Sequence, residues 1–451
     1  MAFQDRRGVP SGSGSATARD AVEQALWRMM SFYDTPLADL EAAAAADEAW
    51  AVPPMMKAGF LLSLTEPGLA SEAAECLALA RARLHSGSPE RERAHVDALG
   101  CVLEGRWVQA GQRWDAILLD HPCDALALQW AHLWDFYRGD LVQLRARPAR
   151  ALPEWDAADP LHACVLGLYA FGLEENCEYA AAEDAGRQAL QAHPRTPWAV
   201  HAVAHVMEMQ GRFDDGAAWL RQQQPHWAEG NGFAVHLWWH KGLFRLEAMD
   251  IAGALRLVDN KLSGDALQVT LNRVDAVSML WRLHLLGADV SGRCRELLSG
   301  WDLDPAHAGH YAFNDVHVVL ACLGAGDVAT AERWVARCAA RVLVAEDVRR
   351  DNHAVAREVG LPLMRGLLAL ARGDADAAVD ALYPARQLAQ RLGGSHAQRD
   401  LIDQTLLAAA ARGQRSGPGR ALLNERRMAK PATPLTQHWM AQLGDAEEVS
   451  A

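Results

Sequence analysis

A turn residue that returns at a near-constant interval restricts this chain more than any other feature. Gly105 and Gly139 are 34 positions apart, and Cys177 and Gly211 are again 34 apart. Each lies between two stretches whose apolar residues follow helical spacing, and strand-like alternation is nearly absent. A turn recurring at that period between amphipathic helices marks a stack of helical hairpins, since no single pair can bury its apolar face alone.

The finer register is that of a tetratricopeptide repeat. Gly105, Trp107, Ala110, Trp114, Ile117 and Pro122 occupy its small, aromatic, Ala, aromatic, apolar and terminal Pro places, and Cys177, Tyr179, Ala182, Ala189 and Pro194 repeat them. Looser copies follow at Met249-Asp250-Ile251 with Ala254, Gly326-Asp327-Val328 with Ala331, and Gly373-Asp374-Ala375 with Ala378. Met249 stands where glycine is usual, which predicts a disturbed turn after His240. The expectation is an all-α, right-handed α-solenoid over residues 21–412, with a polar pocket on its concave side. Residues 1–20, Gly/Ser-rich, read as a disordered tail. Residues 413–451 read as a basic capping segment and tail, with a helix from about Arg420 to Met428.

Composition removes several function classes. The 451 residues carry 57 acidic against 44 basic side chains, a formal charge of −13, so no overall positive field draws nucleic acid or anionic lipid. No uncharged apolar run reaches the ~18 residues of a membrane span. Eight cysteines without a CxxC pair suggest buried free thiols and a cytoplasmic location. GxGxxG, GxxxxGK[ST] and GxSxG are all missing, so neither nucleotide-phosphate binding nor a serine elbow is indicated.

The chemistry-bearing residues concentrate on the first helix of successive hairpins. His201, His205 and Glu208 are spaced i, i+4, i+7 and share one helix face. His236 and His240 repeat that step 35 residues later, and Asp275 lies 35 beyond His240, with Arg282 two turns further on. Asp315 and His317 follow, then His396, Arg399 and Asp400 after Ser395, which suits a helix cap. Trp239 sits among them and suits the wall of a ligand pocket. HExxH is absent because residues 202 and 237 are Ala and Leu.

Three accounts stay open. The four imidazoles of His201, His205, His236 and His240, with Glu208, Asp275 or Asp315, suit a divalent metal ion. Without metal, His205, His240, Glu208 and Asp315 suit proton transfer, while His201, His236, Trp239, Asp275, Arg282, His317, His396, Arg399 and Asp400 bind a polar ligand, Arg282 or Arg399 clamping its anion. In the third, buried hydrogen bonds and Asp–Arg pairs satisfy the whole set without chemistry.

Together, the segments HAVAHVMEMQGRFDDG, HLWWHKGLFRLE, RVDAVSMLWRL and GGSHAQRD resemble the tetratricopeptide repeat protein 38 family over roughly residues 20–412. The resemblance implies a tetratricopeptide-like helical solenoid and brings no catalytic residues with it. The expected function is therefore binding of a polar small molecule or peptide end. The alternative is an enzyme using the histidines for acid/base or metal-assisted chemistry, and homo-oligomer formation stays open.

Overall fold

The computed structural model describes residues 3–344 and 349–449, and the chain is an all-α helical-repeat solenoid. The helices are α1 (Ala16–Ser31), α2 (Leu37–Ala46), α3 (Val52–Ser63), α4 (Ala70–Arg83), α5 (Glu90–Leu103), α6 (Trp107–Asp120), α7 (Ala125–Tyr137) and α8 (Leu141–Ala151). Next come α9 (His162–Glu175), α10 (Tyr179–Ala192), α11 (Pro197–Met209), α12 (Phe213–Gln223), α13 (Ala234–Glu247), α14 (Ile251–Lys261), α15 (Thr270–Leu285) and α16 (Ser291–Ser299). The series ends with α17 (Ala312–Gly324), α18 (Val328–Val342), α19 (Asp351–Val355), α20 (Leu361–Ala371), α21 (Ala375–Arg386), α22 (His396–Arg412), α23 (Ser416–Ala429) and α24 (Pro434–Val449).

One backbone device closes the hairpins. The pivot between α5 and α6 is Gly105 at φ 76°, and Gly139, Cys177, Gly211, Met249, Gly287, Gly326 and Gly373 take φ between 56° and 88° in the hairpins that follow. Met249, at 56°, adopts the same left-handed turn as the glycines, so the disturbance expected after His240 does not occur. Hairpin packing outweighs the roughly 1 kcal/mol that a Cβ costs there. Behind four pivots an Asp starts the second helix: Asp140, Asp250, Asp327 and Asp374 accept from the backbone N–H of Gln143, Gly253, Thr330 and Ala377. Each such cap contributes about 1 kcal/mol.

The chain forms two compact units. The first comprises residues 1–203, 225–234 and 349–351, and its core includes the tilted rings of Trp114, Trp130 and Trp134, with Trp114 5.6 Å from Trp134 and 6.0 Å from Trp130. Residues 3–15 are not the loose tail their composition suggests. Phe3–Gln4 (β1) pairs antiparallel with Pro10–Ser11 (β2), Arg7 is bound by Glu23 at 2.6 Å, and Gly12 N–H donates to Glu92 at 2.7 Å. Those partners are remote in sequence, so composition cannot reveal them.

The second unit comprises residues 204–224, 235–348 and 352–451. Here α12 presses against α13 because residue 216 is Gly: a Cβ at that position would stand 2.1 Å from the Phe244 ring. The basic C-terminal segment is built into this unit, with α23 starting at Ser416 rather than near Arg420. Its Arg426 and Lys430 are buried. They serve as counter-ions to Glu247.

Candidate functional site

Within the second unit, α11, α13 and α15 bring their polar faces together. A nitrogen of each of His205, His236 and His240 lies within 4.8 Å of the others. His205 and His240 are fully buried and their ring centroids are 4.5 Å apart. The i, i+4 step on α13 sets His236 beside His240, with 3.2 Å between their Nε2 atoms. Each of these two rings meets a carboxylate at its other nitrogen: His236 Nδ1 is 2.8 Å from Asp275 Oδ2, and His240 Nδ1 is 3.2 Å from Glu208 Oε2.

Trp239 supports the site rather than walling a pocket. Its indole stacks on His236 at 5.1 Å and 19°, and its Nε1–H donates to Ser278 Oγ at 2.8 Å. The Arg282 guanidinium lies over the same indole, 5.6 Å from its centroid. Asp275, Ser278 and Arg282 are at i, i+3 and i+7 of α15, so one helix face holds the imidazole, the indole and the cation.

Burial governs the electrostatics. Desolvation pushes the Glu208 carboxyl up to about 8 despite Lys430 nearby. Desolvation, then the neighbouring imidazoles and Arg282, keep His240 well below its usual range. Burial also lowers the Arg282 guanidinium, against the pull of Asp400, Glu208 and Asp275.

Other expected site residues have partners of their own. His201 belongs to the first unit, where its ring lies 5.0–5.1 Å from those of Phe171, Trp198 and Phe233. Asp315, expected as a base or ligand beside the histidines, accepts from Gly309 N–H and Trp334 Nε1–H, both at 3.1 Å, and burial raises it to about 6. His317 spends Nδ1 on the Phe313 carbonyl at 2.8 Å, and desolvation lowers it to about 4. His396 opens α22 half-buried, behind a capping box of Ser395 and Gln398, and Arg399 donates to the Gly394 carbonyl.

Asp400 instead joins a buried network that sequence spacing does not reveal. Glu247 on α13 takes a bidentate contact from Arg426 at 2.6 and 2.8 Å and a third bond from Lys430 at 3.0 Å. Arg426 also reaches Asp400 at 3.3 Å, and Gln404 donates to Asp400 at 3.1 Å. Burial would raise Glu247, but Arg426 and Lys430 bring it down to about 2. Glu208, Glu247, Arg282, Asp400 and Gln404, with Leu243, Leu246, Leu286 and Leu435, enclose a cavity with room for about one water molecule.

No family model matches the chain. Among solved structures it is similar to a tetratricopeptide repeat protein from Parabacteroides merdae, with TM-score 0.30 and 13% identity over 70% of this chain and 98% of that one. It is also similar to a chain of the APC/C hetero-tetramer Cut9–Hcn1, with TM-score 0.28 and 13% identity over 96% of each. Among the described residues no helix is long and apolar enough to cross a membrane.

Proposed function

We propose that the second unit holds one divalent transition-metal ion on His205, His236 and His240, and that the protein binds and polarises a small polar ligand at that ion. The observation that carries this is the pair of Nε2 atoms at 3.2 Å, each on a ring whose Nδ1 faces a carboxylate. If a bound cation ionises Glu208 against the burial that otherwise holds its carboxyl up, Asp275 and Glu208 would each accept a hydrogen bond from the Nδ1–H they face, and both Nε2 atoms would present lone pairs to one another. Such an approach calls for a cation beside them. Two imidazole nitrogens bound at 2.0–2.1 Å to one tetrahedral ion stand about 3.3 Å apart, which matches.

The carboxylates fit as the outer partners that fix tautomer and ring orientation in histidine–metal sites. Three imidazoles leave a fourth position for water or substrate, and the ion's chemistry when bound is to lower the pKa of that water or polarise a carbonyl. The chain's own part is to hold the rings, through Trp239 under His236 and α12 against α13, and to exclude bulk water by burial.

A second account uses the same distances. Glu208, His240, His236 and Asp275 form a continuous chain at 3.2, 3.2 and 2.8 Å, which without metal is a path for a proton. Elemental analysis of untagged full-length protein separates the two. The metal account expects about one ion per chain, lost in the His236→Ala/His240→Ala double variant with helicity retained. A wild-type chain that stays metal-free after incubation with Zn(II), Co(II) and Mn(II) overturns the metal account.

We further assign the chain to the tetratricopeptide repeat protein 38 family on its four motifs, and to the cytoplasm on its scattered, mostly buried cysteines without a CxxC pair.

A further inference from the structure

Residues 3–15 sit on the first unit as a bound peptide would. Asp5 closes their turn, its Oδ1 accepting from the Arg7 and Val9 N–H groups, both at 2.9 Å, while β1 pairs with β2. The hairpin thus holds its own shape. Arg91 Nη1 donates to the Pro10 carbonyl at 2.9 Å, and Glu92 Oε1 accepts from Gly12 N–H at 2.7 Å. A carbonyl at i and an N–H at i+2 share one edge of an extended strand, so these two side chains of α5 recognise backbone rather than sequence. Residue 12 is Gly for the same reason: a Cβ there would stand 2.7 Å from a Glu92 oxygen. One side chain is gripped as well. Arg7 meets Glu23 bidentately at 2.8 and 2.6 Å and Asp159 at 3.5 Å, and lies over the Trp155 ring, 5.9 Å from its centroid. Two carboxylates beside an indole face form a socket for a guanidinium.

We propose that this surface is a docking site for an extended protein segment carrying an arginine, and that residues 3–15 are its occupant within the same chain. The gripping groups are fixed by neighbours other than the hairpin. Arg91 is held by Asp124 at 2.7 Å and Glu92 by the Trp50 indole N–H at 3.0 Å; Asp159 accepts from Leu161 N–H at 2.8 Å and Trp155 donates to the Pro122 carbonyl at 3.1 Å. The receptor is therefore preformed, and what fits it is an arginine followed three residues later by a backbone carbonyl and, two further on, an N–H with no side chain in the way. Because the hairpin joins α1 directly at Ala16, its effective concentration in the site is on the order of millimolar. A free segment competes poorly until the hairpin opens. None of these residues belongs to the histidine cluster, so the docking site and the metal centre stand or fall separately.

Fluorescence anisotropy of a labelled peptide with the sequence of residues 3–15, titrated with the full-length chain, tests this. Two variants open the hairpin in different ways. Arg7→Glu expels the side chain from the socket by charge. Gly8→Val strains the turn at φ 77°, where a Cβ meets nothing within 4 Å, so every receptor group is left in place. Each is expected to bind the peptide at least tenfold more tightly than wild type, with helicity retained. The same peptide carrying Arg7→Ala is expected to bind roughly tenfold to a hundredfold more weakly to either variant, the loss of charge-assisted contacts. If Arg7→Glu fails to fold, Gly8→Val decides alone. Absence of saturable binding to the folded variants overturns the docking site, as does equal affinity in wild type and variants. Indifference to the peptide's arginine overturns it too. Unfolding of both variants shows the hairpin to be part of the core and has the same consequence.

Discussion

Replacing Glu247 with Gln removes one charge from the buried network without removing its shape. In the native chain this carboxylate is held by Arg426 at 2.6 and 2.8 Å and by Lys430 at 3.0 Å, and its pKa lies at about 2 against an ordinary 4.5. A depression of that size corresponds to about 3 kcal/mol in favour of the folded state. Because the folded value is the lower one, the contribution is complete above about pH 4.5 and disappears as the pH falls toward 2. Glu247→Gln therefore destabilises the C-terminal helices at pH 7 by about 3 kcal/mol, and much less near pH 3. Hydrogen exchange read by mass spectrometry on peptides from α13 and α23, in chelator-treated protein, reports this locally. At pH 7 the variant is expected to exchange roughly a hundredfold faster than wild type in both helices. The difference should shrink steadily from pH 4.5 downward. An equal difference at pH 7 and pH 3, or none at pH 7, refutes the claim that the two cations act on an ionised Glu247.

Met249→Gly relieves a left-handed Cβ at φ 56° and is expected to raise stability by about 0.5–1 kcal/mol, measured as a higher urea midpoint; a loss of stability contradicts the shared-turn argument. Asp275→Asn leaves His236 in place but removes the carboxylate at 2.8 Å, so metal affinity in a competition titration with a chromophoric chelator falls roughly tenfold to a hundredfold. His317, lowered to about 4 from an ordinary 6.5, contributes stability that is complete above pH 6.5 and is lost toward pH 4, by up to about 3 kcal/mol. A His317→Gln chain should accordingly lose less stability between pH 7 and 4.5 than wild type, as read from urea unfolding at each pH.

Features of this fold that depend on short-range rules could be read from the chain. The 34-residue return of a turn residue, the Asp that follows it and the i, i+4 histidine pairs are all local patterns, and the hairpins, caps and paired imidazoles follow them. Even Cys177 and Met249 obey, because two packed helices dictate the turn and the side chain pays. Depth and long-range partners obey no such rule. His201 shares a face with His205, but helical spacing does not show that its ring also lies 5.0–5.1 Å from those of Phe171, Trp198 and Phe233. Asp315 has the right spacing and is taken by Trp334. Glu247 finds its counter-ions 179 and 183 residues away, on a segment whose basic composition suggested a surface cap. Arg7 likewise finds Asp159 at 3.5 Å, 152 positions on, which turns a Gly/Ser-rich tail into a fixed ribbon.

X-ray absorption at the metal edge of zinc- or cobalt-loaded protein bears most directly on the central claim, that imidazoles from two neighbouring hairpins converge on one ion. The account predicts a first shell near 2.0–2.1 Å with the outer-shell scattering of imidazole rings, and loss of that ring signal in the His236→Ala/His240→Ala variant. A shell of oxygen donors without imidazole scattering, or a spectrum unchanged in the variant, would place the ion elsewhere and contradict it.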